Sequence, residues 1–138
     1  MRWKIILLLS LSGLITGFLT VFYVPVRFEA AIGMPLYMLC GWLIGRNVEK
    51  RHFLHGFITG IISSAIITAV RATYATTFFA ANPKEAELFA KMSRESGATM
   101  VQSMELMSPF AALFTGLILG LFALAGNMIV RLMGGERL

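Results

Sequence analysis

The sequence predicts an all-α polytopic membrane protein: one domain with four transmembrane helices, and short amphipathic helices between spans three and four. Three observations carry that prediction. The chain is 57% hydrophobic and only 14% charged, with a mean hydropathy of +0.77, whereas a soluble domain carries about 25% charged residues. The apolar residues are gathered into four long blocks instead of being spread at amphipathic spacing. Each block also holds one glycine pair at spacing four: Gly13 and Gly17, Gly41 and Gly45, Gly56 and Gly60, Gly116 and Gly120. Thirteen glycines scattered at random would give roughly one such pair, so their regular occurrence signals close helix packing.

The first block, 5–24, is uninterrupted, and at ~1.5 Å per residue it can cross a ~30 Å hydrocarbon core. Its start, MRWK before IILLL, imitates a secretory signal. The run is longer than an h-region and no small-x-small site follows, so it reads as a retained helix. The second block, 28–45, contains Pro35 beside Gly33. A proline within a helix removes a backbone hydrogen bond, which predicts a kink or break there. The third block, 53–81, is longer than a bilayer needs and carries Arg71 near its far end. The fourth runs over 109–133, opened by Ser108-Pro109.

Between spans three and four, the segment 82–108 is organised. Asn82-Pro83-Lys84-Glu85 offers an N-cap, a proline at the first helical position and an acid in the first turn. A short helix over 83–95 should stop near Ser96-Gly97. Thr99-x-x-Gln102 has the capping-box pattern and predicts a second short helix. Leu88, Phe89 and Met92, then Met100, Met104 and Met107, recur at helical spacing. Helices of this kind lie on a surface, apolar side towards lipid or the bundle.

Charge sets the expected orientation. The amino terminus, the 46–52 loop and the carboxyl terminus share one side, which carries Arg2, Lys4, Arg46, Lys50, Arg51, Arg131 and Arg137. The other side carries Arg27, Arg71, Lys84, Lys91 and Arg94, partly offset by Glu85, Glu87, Glu95 and Glu105. The positive-inside rule puts both termini in the cytoplasm. The formal charge of +5 is not gathered into a stripe, so nucleic acid is not an expected partner. The single cysteine, Cys40, excludes a disulfide framework within the chain.

The stretch SGLITGFLT at 12–20 is repeated in outline by HGFITGIIS at 55–63. Two related hairpins inserted in the same sense would produce such a match, and so would convergence on generic membrane residues. Span three extends its row as Gly56, Gly60, Ser64, Thr68, Ala72, Thr76 and Ala80, a small-residue face expected to bury along its whole length.

Candidate chemistry is sparse. Glu49-x-x-His52 with His55 has a metal-like spacing, but ferritin-type sites need two such motifs and more carboxylates. It reads as an interfacial helix start, and no metal or other cofactor is expected. Met100-x-x-x-Met104-x-x-Met107 puts three thioethers on one helical face. Thioethers suit Cu(I), but methionine is also an adaptable interface filler, and Met92, Met100, Met104 and Met107 are read as a docking face. Arg71 lies 18 residues beyond Phe53, about 27 Å along a helix, at a depth similar to that of Glu29. The two form a candidate intramembrane ion pair, either structural or coupled to a solute or ion. Asn127 is expected to hydrogen-bond across helices.

The runs GFITGIISSAIITAV, ANPKEAELFAKMSRES and MSPFAALFTGLILGLFAL resemble a family of small bacterial four-span membrane proteins of unknown function. The resemblance covers about 53–130 and implies architecture alone. Two functional expectations follow from the residues themselves. The first is a non-catalytic accessory or assembly subunit, or a homo-oligomer, packing through small-residue faces. Its partners would be the lipid bilayer and other membrane-protein subunits or copies of itself. The alternative is a small-solute or ion transporter or channel using Arg71, Glu29 and the Pro35 helix break. No constellation of catalytic groups points to an enzyme.

Overall fold

The computed structural model describes residues 2–134, and helix is the only regular structure among them apart from turns. Helices α1 (Trp3–Ser10) and α2 (Ser12–Phe22) form the first long unit, and a one-turn 3-10 helix (Val26–Phe28) leads into α3 (Glu29–Asn47). Helix α4 (His52–Thr73) is followed by three more: α5 (Ala75–Ala81), α6 (Pro83–Ser96) and α7 (Met100–Leu132). Four units, Trp3–Phe22, Val26–Asn47, His52–Thr73 and Met100–Leu132, are long and apolar enough to cross a membrane. One end of the bundle, the termini end, holds the start of α1 and the end of α7. The 3-10 turn, α5 and α6 lie at the other, the cap end.

Glycine decides which helices touch. Helices α4 and α7 pack most extensively, α3 lies against α7, and α1 and α2 lie against α4. The order across the bundle is therefore α3, α7, α4, α2. A Cβ on Gly60 would lie 2.7 Å from Gly116 Cα, and one on Gly56 would lie 2.9 Å from Gly120 Cα. Rising numbers on α4 meet falling numbers on α7, so the pair is antiparallel. On α3, a Cβ at Gly41 would sit 2.6 Å from the Phe122 backbone, and one at Gly45 would run into Gly126 and Asn127. Gly126 returns the contact by packing on the Gly41 backbone. On α2, Gly13 lies on the Ser63 carbonyl, and Gly17 meets Val70 less tightly, at 3.1 Å from its Cβ. Such spacing leaves no room for a side chain and puts backbone dispersion and Cα–H contacts in its place.

Several elements depart from the sequence reading, each for a local reason. The first unit bends at Leu11, where Ser10 Oγ donates back to the Ile6 carbonyl at 2.7 Å and lies 3.4 Å from that of Thr59. Serine back-bonding of this kind bends helices. The third block is not one helix over 53–81: α4 ends at Thr73, and Tyr74 turns the chain into α5. Tyr74 is held there against the rings of Phe18 and Phe22, with centroids at 5.9 and 5.2 Å. The turn carries Phe78 inward, where it is buried with Val21, Val70 and Met104. The small-residue row is consequently buried only at Gly56, Gly60 and Ser64, and Thr76 and Ala80 are exposed.

Conversely, the expected second short helix and the fourth span are one helix. Thr99 and Gln102 form the capping box, with Gln102 N–H donating to Thr99 Oγ1 at 3.1 Å and Thr99 N–H to Gln102 Oε1 at 2.8 Å. The helix runs on through Pro109, which is exposed, as is Glu105 four residues earlier. The carbonyl freed by the missing N–H is therefore not stranded in the core. Pro35 likewise lies within an unbroken α3 and is exposed, so the helix break expected there is absent. The 12–20 and 55–63 match is not a structural repeat. Gly13 and Gly17 pack on α4, but Gly56 and Gly60 pack on α7, whereas a twofold would turn them towards α2. Asn127 is buried in the α3–α7 seam with Oδ1 unpartnered, so the cross-helix hydrogen bond expected of it is not made through that oxygen. Arg137, counted above for orientation, lies outside the described residues.

The seams generate a comparison. Gly60→Ala forces a Cβ into the α7 backbone, an overpacking cost of about 1–3 kcal/mol that a helix-propensity gain of about 1 kcal/mol only partly offsets. A Cβ at Gly33 would meet only the Tyr37 ring, at 3.5 Å, so Gly33→Ala should be neutral or stabilising. Thermal unfolding of helical circular dichroism in detergent should separate the two variants. Equal midpoints would contradict the packing described.

Candidate functional site

Where α3 and α4 meet little, a groove opens. It is lined from α3 by Glu29, Gly33, Met34 and Tyr37, from α4 by Ser64, Ile67, Thr68 and Arg71, and from α7 by Phe114, Thr115 and Ile118. Its volume is about 380 Å³, within the roughly 300–1,000 Å³ range of small-molecule sites. Gly33 adds nothing that would fill it. Pro35 is not among the lining residues.

The groove's charged end is built from two helix termini. Glu29 is the first residue of α3 and Arg71 falls in the last turn of α4. A carboxylate at a helix start and a guanidinium at a helix end both complement the peptide dipoles. Arg71 Nη2 lies 2.8 Å from Glu29 Oε1, with the two side chains 15% and 29% exposed. The same guanidinium donates to Thr20 Oγ1 from Nη2 at 3.1 Å and from Nε at 3.3 Å. It also lies 5.1 Å over the Phe78 ring. Arg71 thus links α2, α3, α4 and α5. Tyr37 lies just over two helical turns deeper on α3, near Thr115 and within the field of both charges.

Asn82 holds the backbone that carries this end. It does not cap α6 with its side chain, as the sequence reading expected. Its Oδ1 accepts from Val26 N–H at 2.7 Å, while Nδ2 donates to the Phe78 carbonyl at 2.9 Å and lies 3.4 Å from that of Thr20. One buried amide therefore ties the start of the second unit to the end of the first and to α5. An N-cap side chain and a tether are alike in sequence, and only the fold brings Val26 within reach. Thr20, Tyr37 and Phe78 were also missed. They carry no motif and become informative only when Arg71 and the groove are located.

The other candidate residues are placed as follows. The eight paired glycines lie at the helix seams described above. Met104 is buried against Phe78, so it belongs to the interior of the cap and is not part of a docking face. Met92 and Met100 are half-buried, and Met107 is exposed. At the termini end, His55 Nε2 accepts from Arg2 N–H at 3.1 Å and its Nδ1 faces the Arg51 carbonyl at 2.9 Å. His52 Nε2 lies 2.6 Å from the Val48 carbonyl. Both rings thus serve backbone groups, and among the described residues no three His, Cys, Asp or Glu side chains cluster as metal ligands.

No family model, curated protein or solved structure matches this chain.

Asn82→Ala strands the Val26 N–H, a loss of about 1–3 kcal/mol for a buried donor left without its acceptor. Hydrogen exchange should quicken at Val26 and across α5 while amides in the α4–α7 seam keep their protection. Uniform acceleration through the whole bundle would show that Asn82 is no local tether.

Proposed function

We propose that the chain is a non-catalytic integral membrane protein that acts as an accessory or assembly subunit, binding another membrane protein or a second copy of itself. The observation that carries this reading is the length of α7. Its 33 residues make a rod of about 50 Å, against a hydrocarbon core of ~30 Å. Several turns therefore project beyond the hydrocarbon core, and α6 packs on α7 near its start, with Phe89 against the cluster that holds Met104. There Leu88 and Leu106 are 55% and 63% exposed, and Met107 is also exposed. Apolar side chains that lipid tails do not reach are suited to a protein partner. The distribution of Arg and Lys supports placing this hairpin on the outer face of a bacterial inner membrane, with both termini cytoplasmic.

A second reading, solute or ion coupling, is favoured by one observation: Arg71 and Glu29 both line the groove. Against it stands the engagement of the Arg71 guanidinium with Glu29, Thr20 and Phe78, which suits a structural clamp.

Purification of the tagged chain in gentle detergent, followed by native mass determination, tests the subunit reading. A stoichiometric partner chain or a defined homo-oligomer is expected, with Leu106→Glu releasing it. A monomer that brings no other polypeptide would overturn the proposal.

A further inference from the structure

The groove carries an inference that goes beyond the subunit reading and requires only that the chain lie in a bilayer. We propose that it is a binding site for one anionic glycerophospholipid, with the phosphate group at Arg27 and Arg71 and an upper length of acyl chain along α3, α4 and α7.

Three observations combine. The first is charge. Arg27 and Arg71 stand at the mouth against the single carboxylate of Glu29, so the mouth keeps one positive charge in excess, and Arg71 meets Glu29 and Thr20 through Nε and Nη2, with Nη1 taking part in neither contact. A phosphodiester anion complements it, and arginine suits phosphate because its planar fork donates in two directions. A zwitterionic head would bring a cation to the same place and gain less.

The second is the gradient of polarity along the groove. Arg71 and Ser64 are seven residues apart on α4, about 10 Å along the axis, and Glu29 and Tyr37 are eight apart on α3, about 12 Å. Over that distance the lining passes from the charges, past Thr68 and Ile67, to a depth where Phe114 and Ile118 stand with the Ser64, Tyr37 and Thr115 hydroxyls. A lipid fits a charged mouth above a mixed depth of this length, with its phosphate at the charges and its ester oxygens and first methylenes among the hydroxyls and apolar side chains below. A protein helix inserted here would place apolar side chains against the Arg71–Glu29 pair, and a free phosphate would leave the apolar depth unfilled.

The third is position. The groove is bounded by three helices long and apolar enough to span a membrane, and it lies between two of them that barely touch. A lipid in the surrounding leaflet can enter sideways without crossing water. Gly33 on the groove wall has no close neighbour beyond the Tyr37 ring, which leaves width for a chain at mid-depth.

The test uses the full-length protein reconstituted in nanodiscs of phosphatidylglycerol, phosphatidylcholine or an equal mixture, then released for native mass spectrometry. From the mixture, one phosphatidylglycerol per chain should be retained in preference to phosphatidylcholine. Arg27→Gln removes one charge from the mouth and should weaken retention about fivefold. Gly33→Leu should abolish retention by filling the groove while leaving every charge in place. Its Cβ meets only ordinary contact, so the variant tests the groove without breaking the ties that Arg71→Ala would remove. Addition of inorganic phosphate should displace nothing. Equal retention of the two lipids, retention undiminished in Gly33→Leu, displacement by phosphate, or a polypeptide occupying the groove would each overturn the proposal.

Discussion

Backbone-to-backbone approach at glycine is the constraint on which the rest of this structure depends. In a bilayer, apolar side chains gain nothing by leaving lipid for a neighbouring helix, so helices associate where their surfaces can come closest. Here that happens on three seams: Gly56 and Gly60 against α7, Gly41 and Gly45 against the Phe122–Asn127 region, and Gly13 and Gly17 against α4. The seams use up the small-residue faces of all four long units. They also fix by exclusion where contact is poor, because α3 has no glycine pair turned towards α4. The groove results from that placement.

At the cap end, glycine packing gives way to polar ties. The termini of α3 and α4 come near enough for Glu29 and Arg71 to pair at 2.8 Å, and Asn82 fastens Val26, Phe78 and Thr20 together. These ties close one end of a groove whose sides the glycines leave apart. A charged pair this far buried would be costly alone, but it is offset by the second contact of Arg71 on Thr20, the Phe78 ring, and the dipoles of both helix ends. The termini end is fastened by a different device, in which two histidines satisfy backbone groups around Arg51, a non-glycine residue at φ +60°.

What the sequence made legible follows the range of the interaction involved. Apolar blocks, glycine spacing and the Thr99–Gln102 capping box are local patterns. They located the four long units and the glycine pairs at their seams, and the capping box marked a helix start at Thr99, although the helix was expected to be short and separate from the fourth span. Equal depth along helices also brought Glu29 and Arg71 together. Long-range choices were not legible. Nothing near Tyr74 announces that Phe18 and Phe22 will hold it out of helical line, and Asn82-Pro83 reads as a cap until the fold delivers Val26 to its side chain. The apparent repeat misled because identical glycine spacing can serve two different neighbours. The methionine pattern was correctly placed on a helical face, yet one of its members, Met104, faces the molecule's own interior.

Pairwise disulfide trapping in native membranes tests the glycine-seam account most directly. Ser12 and Ser63, whose hydroxyls lie 3.4 Å apart beside Gly13, would be changed to cysteine in a Cys40→Ala background. The account predicts rapid and nearly complete intramolecular crosslinking of Ser12→Cys with Ser63→Cys, and none when Ser12→Cys is paired with Leu117→Cys on the exposed face of α7. Failure of the first pair to crosslink while the second does so would contradict the helix order described here and, with it, the origin of the groove.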